Sequence, residues 1–182
     1  GFDLPFVWNM SGYETVEALH AIAPVADVFL ADFKYAHSEL ARKFSRAVDY
    51  PAVALDALDA MVEITGEPQF DEYHGQLRMT RGVVVRHLLL PGHVPESCAA
   101  VELLHKRYGE KVLLSLMNQY TPVLDVSSVA ARKYPELLRA PSSKEYEQLL
   151  DFADSLGFED YFWQEGGAID ESFIPAFDFT GV

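Results

Sequence analysis

The sequence predicts an α/β fold with a parallel sheet, open or curled into a barrel. Three observations carry this. Short apolar runs alternate with segments of helical period, so strands and helices take turns along the chain. The runs are almost continuously apolar, as parallel strands covered on both faces are. Each also closes on polar residues at its carboxyl end, where parallel α/β folds place their ligands.

Five runs are expected as strands: Pro5 to Met10, Val28 to Lys34, Gly82 to Leu90, Lys111 to Gln119 and Tyr161 to Gln164. Between the first two, Glu14 to Ala23 sets Val16, Leu19, Ile22 and Ala23 on one helical face. Glu39 to Val48 does the same with Leu40, Ala41, Phe44 and Val48, with Ser38 as its expected N-cap. Pro51 to Thr65 carries Leu55, Leu58, Met61 and Val62 before a stop at Gly66. Pro95 to Tyr108 carries Cys98, Val101 and Leu104 before Gly109. Ser142-Ser143-Lys144-Glu145 fits a capping box, opening a helix with Tyr146, Leu149, Leu150, Ala153 and Leu156 that stops at Gly157. Glu67 to Arg81, Tyr120 to Pro141 and the tail Glu165 to Val182 read as irregular, long enough to cover a site or meet a partner. With 182 residues and no internal repeat, the chain is expected to form a single domain, residues 1–182.

Bulk composition narrows the function classes. A net charge of −14 argues against a nucleic-acid or anionic-membrane partner, since phosphates need a basic surface. No apolar run approaches the roughly 20 residues that span a bilayer. One cysteine, Cys98, forbids an internal disulfide, and a reducing, cytoplasmic setting is expected. The chain opens GFDLPFVWN, without Met or a signal-peptide pattern, and is expected to be an excerpt of a longer protein. A processed but otherwise complete chain is the alternative.

The polar strand ends are Asn9 and Ser11, then Asp32 and Lys34, Arg86 and His87, Asn118 and Gln119, and Gln164 and Glu165. Residues two apart on a strand share a face, so Asp32 and Lys34 point the same way. Together they offer acceptors and donors to a zwitterionic or hydroxyl-rich ligand. An internal salt bridge closing the strand is the plainer alternative. The histidines give no metal set: His20 and His105 fall in helices, His37 and His74 in loops, and His87 and His93 merely flank one Pro-Gly turn. No phosphate-binding glycine loop and no serine nucleophile motif occurs. Cys98 reads as a helix core residue.

The ordered series PFVWNMSGYE, LADFKY, RGVVVRHLLLPG and SLMNQYTP resembles the radical S-adenosylmethionine proteins related to pyruvate formate-lyase activating enzyme. Asp32-Phe33-Lys34 looks like the family's D-x-K strand end, and Val85 to Gly92 like its strand leading to a Pro-Gly turn. The resemblance runs from about Leu4 to Gln119, with the tail Phe173 to Val182 added.

That resemblance implies an incomplete, TIM-like parallel barrel: the last four strands of a (β/α)6 partial barrel plus a C-terminal extension. It implies S-adenosylmethionine and a [4Fe–4S] cluster in the full-length protein, and an oxidoreductase that forms a 5′-deoxyadenosyl radical. The partner it implies is a glycyl radical enzyme. Asp32 and Lys34 would contact S-adenosylmethionine, Asn9 and Ser11 would lie near its amino-acid end, and Arg86 would line the pocket. Gln119 stands where the family has a cofactor-touching histidine. The family's C-x3-C-x2-C loop is missing here, so this chain is expected to bind neither group tightly and to be inactive alone. Its exposed barrel edge is expected to cause dimerisation or aggregation. Two rival functions remain: a Schiff-base barrel lyase using Lys34, and a cluster-less binding module.

Overall fold

Parallel strands need crossovers, and the chain supplies a helical one after nearly every strand. The computed structural model describes residues 4–158 and 161–163. In chain order these hold β1 (Val7–Met10), α1 (Val16–Ile22), β2 (Val28–Asp32), α2 (Ser38–Ser45), α3 (Tyr50–Thr65), β3 (Gln69–Tyr73), β4 (Gln76–Leu88), α4 (Val94–Tyr108), β5 (Leu113–Met117), α5 (Val129–Lys133), α6 (Ser143–Ser155) and β6 (Tyr161–Trp163). The sheet order is β1-β2-β4-β5-β6, with every neighbour parallel; β3 pairs antiparallel with β4 alone. The α/β class with a parallel sheet is therefore as expected.

Each new parallel strand is laid beside the one before it, so the order never reverses. Crossovers of one hand then carry the helices to one face. Burial follows this. Phe29, Ala31, Phe33, Val83, Val85, Leu114 and Leu116 are 0% exposed. Their alternates Leu30, Asp32, Val84, Arg86, Leu113, Ser115 and Met117 are only half-buried. This corrects the expectation of strands covered on both faces. Against the covered face pack α3 and α4, with α1 on α3 and α6 on α4. Leu58, Met61, Leu104 and Leu149 are fully buried there, each worth about 2 kcal/mol of apolar burial. Cys98 packs against this core, as expected.

Glu67 to Arg81 is not irregular but a hairpin: β3 and the first half of β4 turn at His74 (φ +53°) and Gly75 (φ +77°). Two successive left-handed residues give the tight turn that matches strand twist. The stretch from Tyr120 to Pro141 also gains structure in α5, capped by the Ser128 hydroxyl accepting from the Ala131 N–H. Ser38 is the first helical residue of α2 and not its cap. The loop before it is held by Glu96 of α4, whose Oε1 accepts from the N–H groups of Ala36 (2.8 Å) and His37 (2.9 Å). α2 ends at Ser45 because Arg46 turns left-handed (φ +56°), short of the expected Val48. The capping box at Ser142 and Glu145 forms as read. Gln164, Glu165 and the tail Phe173 to Val182 lie outside the described residues. No described helix is long and apolar enough to cross a membrane.

Candidate functional site

β2 ends at Asp32, whose register partner on β4 is Arg86. Both side chains rise from the half-buried face, so they meet there. Asp32 Oδ1 accepts from Arg86 Nη2 at 2.7 Å and Oδ2 from Lys34 Nζ at 2.8 Å. Arg86 Nη2 also donates to Asn9 Oδ1 at 2.7 Å. Lys34 Nζ also donates to the Ser11 carbonyl at 3.0 Å. The carboxyl ends of β1, β2 and β4 are thereby tied by one polar chain. The Asp32–Lys34 salt bridge anticipated as the plainer reading is present, and the pair still faces a cavity.

Three features hold these ends in place. Gly12 (φ +79°) passes so close to β2 that a Cβ there would stand 1.9 Å from the Asp32 carbonyl oxygen. The Tyr50 hydroxyl, from the start of α3, donates to that carbonyl at 3.0 Å and accepts from the Lys34 N–H at 3.0 Å. Burial pushes its phenol well above the usual tyrosine range, so it remains a neutral hydroxyl able to do both. On the other side, Phe33 donates its N–H to the Arg86 carbonyl at 2.8 Å, and His87 Nδ1 meets the Phe33 carbonyl at 2.7 Å. A carbonyl only accepts, so Nδ1 carries the proton. His87 is 1% exposed, and burial lowers its pKa.

A cavity of about 200 Å³ opens at these strand ends, lined by Asp32, Lys34, Tyr35, Arg86, Leu88, Leu90, Met117 and Tyr120. It is smaller than the roughly 300–1,000 Å³ of whole-ligand pockets, so it suits one end of a ligand. Its charged groups are two cations and one carboxylate, and Arg86 Nε is buried without a partner. In a chain of net charge −14 this is a local cationic spot, suited to an anionic or zwitterionic group.

The six sequence-derived candidates separate accordingly. Asp32, Lys34 and Arg86 line the cavity. Asn9 and Ser11 support it from behind, Asn9 through Arg86 and Ser11 through its carbonyl, since the Ser11 hydroxyl donates to Glu14 Oε1 at 2.8 Å. Gln119, beyond the end of β5, is not among the lining residues. Its neighbour Tyr120 is, with its hydroxyl donating to the Leu137 carbonyl at 2.9 Å. Tyr35 and Tyr120 were missed, though Tyr35 directly follows the strand-end pair. Tyr50 carries no local signal, because its contact with Asp32 crosses 18 positions.

A larger depression, about 730 Å³, opens where β5 begins, beside Glu67, Lys111 and Leu113. It lies at the amino ends of the strands, away from the convergent polar groups. Among the described residues no group of three or more His, Cys, Asp or Glu is arranged for a metal. A cluster held on three thiolates does not fit this chain, whose single Cys98 is packed in α4 with its thiol pKa raised by burial.

No protein family model matches the chain. It is 25% identical over 159 residues to an uncharacterized protein of Methanocaldococcus jannaschii, a match covering 86% of this chain and 40% of that protein. The chain thus spans about two-fifths of the length of the curated relative it matches.

Proposed function

We propose that the chain is the S-adenosylmethionine-binding part of a radical enzyme resembling pyruvate formate-lyase activating enzyme, its sheet being part of an incomplete (β/α) barrel. The observation that carries this reading is Asp32 held between Arg86 and Lys34 at the carboxyl ends of adjacent parallel strands. The sequential strand order with helices on one face is also what a barrel wall requires. When bound to a reduced cluster, S-adenosylmethionine supplies a 5′-deoxyadenosyl radical. Within this chain, Lys34 and Arg86 offer donors to a carboxylate, and Asp32 offers an acceptor to an ammonium or ribose hydroxyl. Leu88, Leu90 and Met117 give the cavity an apolar wall. With Cys98 as its single cysteine, this chain does not supply the three thiolates that hold the cluster. The reading requires further chain carrying C-x3-C-x2-C, and the partner it favours is a glycyl radical enzyme.

The test is to read the coding sequence upstream of Gly1 and assay the protein it specifies, reconstituted with iron and sulfide, for reductive formation of 5′-deoxyadenosine. The expected result is an in-frame three-cysteine motif and turnover that Asp32→Ala and Lys34→Ala reduce. A start codon immediately upstream, or a motif without turnover, overturns the reading and favours a cluster-less binding module.

A further inference from the structure

A second groove, about 870 Å³, runs between α2 and α5. Arg42 and Arg46, four positions apart, stand on one wall, and Lys133 on the other. All three are exposed. Among the described residues none of the three has a carboxylate partner, Lys133 Nζ lies over the Tyr134 ring at 5.1 Å, and Glu39 is the one carboxylate that lines the groove. The chain carries 28 acidic residues against 14 Lys and Arg, so three cations without a carboxylate partner around a groove lined by one acid, Glu39, run against its composition. Their mutual repulsion disfavours the free state and is relieved by an incoming negative charge.

The floor and rim say what kind of anion fits. Phe44 and Tyr134 meet edge to face, with centroids 5.3 Å apart, and Lys43 lies over both rings while pairing with Glu136 at 3.0 Å. Val129, which lines the groove, is 72% exposed, and Val123 and Val126, six and three positions before it in the chain, are 71% and 75% exposed. Cations beside rigid aromatics and uncovered aliphatics match a protein segment, not a phosphate, which needs converging donors and no apolar rim. The net charge of −14 also repels a long polyanion, while a short acidic segment feels chiefly the local cations within a Debye length of about 8 Å. We propose that this groove docks an acidic segment of a partner protein that carries an apolar anchor. The groove lies at the same end of the sheet as Asp32, since α2 follows directly from Lys34. The inference does not depend on what the Asp32 cavity binds.

Fluorescence anisotropy tests this with the 182-residue chain and a fluorescein-labelled peptide of Glu and Asp around one Phe. The expected result is saturable binding at low salt, weakened about tenfold or more in Arg42→Glu/Arg46→Glu/Lys133→Glu. The neutral variant Arg42→Gln/Arg46→Gln/Lys133→Gln, checked for folding by circular dichroism, is expected to weaken binding less. A peptide with Gln and Asn in place of the acids is expected not to bind. Absence of binding, equal binding by the reversed variant, or equal binding of the neutral peptide overturns the proposal. So does displacement of the acidic peptide by inorganic phosphate or a DNA oligonucleotide at equal concentration. Self-association in sedimentation that the charge reversal abolishes would assign the groove to a second copy instead.

Discussion

Asp32 and Arg86 are register partners on adjacent parallel strands, and the Asp32 carboxylate bridges Arg86 at 2.7 Å and Lys34 at 2.8 Å. One carboxylate thus serves two cations at the carboxyl end of β2, where solvent is only partly present. The three side chains are 25%, 22% and 40% exposed for Asp32, Arg86 and Lys34. That gradient makes the network asymmetric: Asp32 is the member both others require, and Lys34 the one nearest water.

Asp32→Asn leaves Arg86 and Lys34 facing each other without a counter-charge. Between the small worth of exposed pairs and the larger penalty for unpaired buried ones, its cost is expected at about 1–2 kcal/mol. Lys34→Met, at the wetter end, is expected to cost less than about 1 kcal/mol. Urea denaturation of both variants checks the order. Equal losses would mean that the two cations do not share Asp32 in solution.

Gly12→Ala tests how tightly the exit of β1 lies on β2. The new Cβ meets the Asp32 carbonyl oxygen at 1.9 Å, with φ at +79°. Gly75→Ala provides the comparison, because φ is +77° there and nothing lies within 4 Å. The hairpin variant is expected to lose about 1 kcal/mol from conformation alone, and Gly12→Ala at least about 2 kcal/mol more. Matched denaturant midpoints would show that the contact relaxes freely.

The parts of this arrangement legible in the sequence are the ones set by short-range periodicity. Val28 to Asp32 and Leu113 to Met117 announce themselves as apolar runs, and alternation alone places Asp32 and Lys34 on one face. The β3–β4 hairpin escaped because its turn residues are His74 and Gly75 and its strands, with Asp71, Glu72 and Arg78, are too polar to read as buried. Two of these charges meet across the hairpin, Arg78 Nη2 reaching Asp71 Oδ2 at 2.6 Å. The roles of Tyr50, Glu96 and Tyr120 were illegible for another reason. Each depends on a partner brought close by tertiary folding, such as Glu96 under the Ala36 N–H, 60 positions away.

Glu145 joins the start of α6 to the loop after β4. Its oxygens accept from the Ser142 N–H at 2.8 Å, Arg139 Nη1 at 2.6 Å and the Gly92 N–H at 2.7 Å. These donors hold its carboxyl far below the ordinary glutamate value of 4.5. Glu145→Gln is therefore expected to destabilise more than Ser142→Ala, which removes one cap at about 1 kcal/mol. The sign of the pH effect follows from the lowered folded value. The stabilisation is present above pH 4.5 and lost as pH falls below it. The gap between native chain and Glu145→Gln in acid titrations is expected to narrow in that direction.

His87 gives this same carboxyl end of β2 a pH dependence of its own. Its Nδ1–H replaces a ladder hydrogen bond at the Phe33 carbonyl, while Nε2 is buried without a partner. Protonation would place a charge on that orphaned nitrogen inside the core, so burial lowers the folded pKa below 6.5. The unfolded chain then binds a proton that the folded chain refuses. Stability is unaffected by His87 above about pH 6.5, and it declines as pH falls from there toward the folded value. His87→Gln keeps a donor for Phe33 and removes the titration. Melting temperatures between pH 7.5 and 5.5 are expected to fall more steeply for the native chain than for His87→Gln. Parallel curves would show that the imidazole accepts its proton without cost, and that the β2 end is held by the Phe33 and Tyr50 contacts alone.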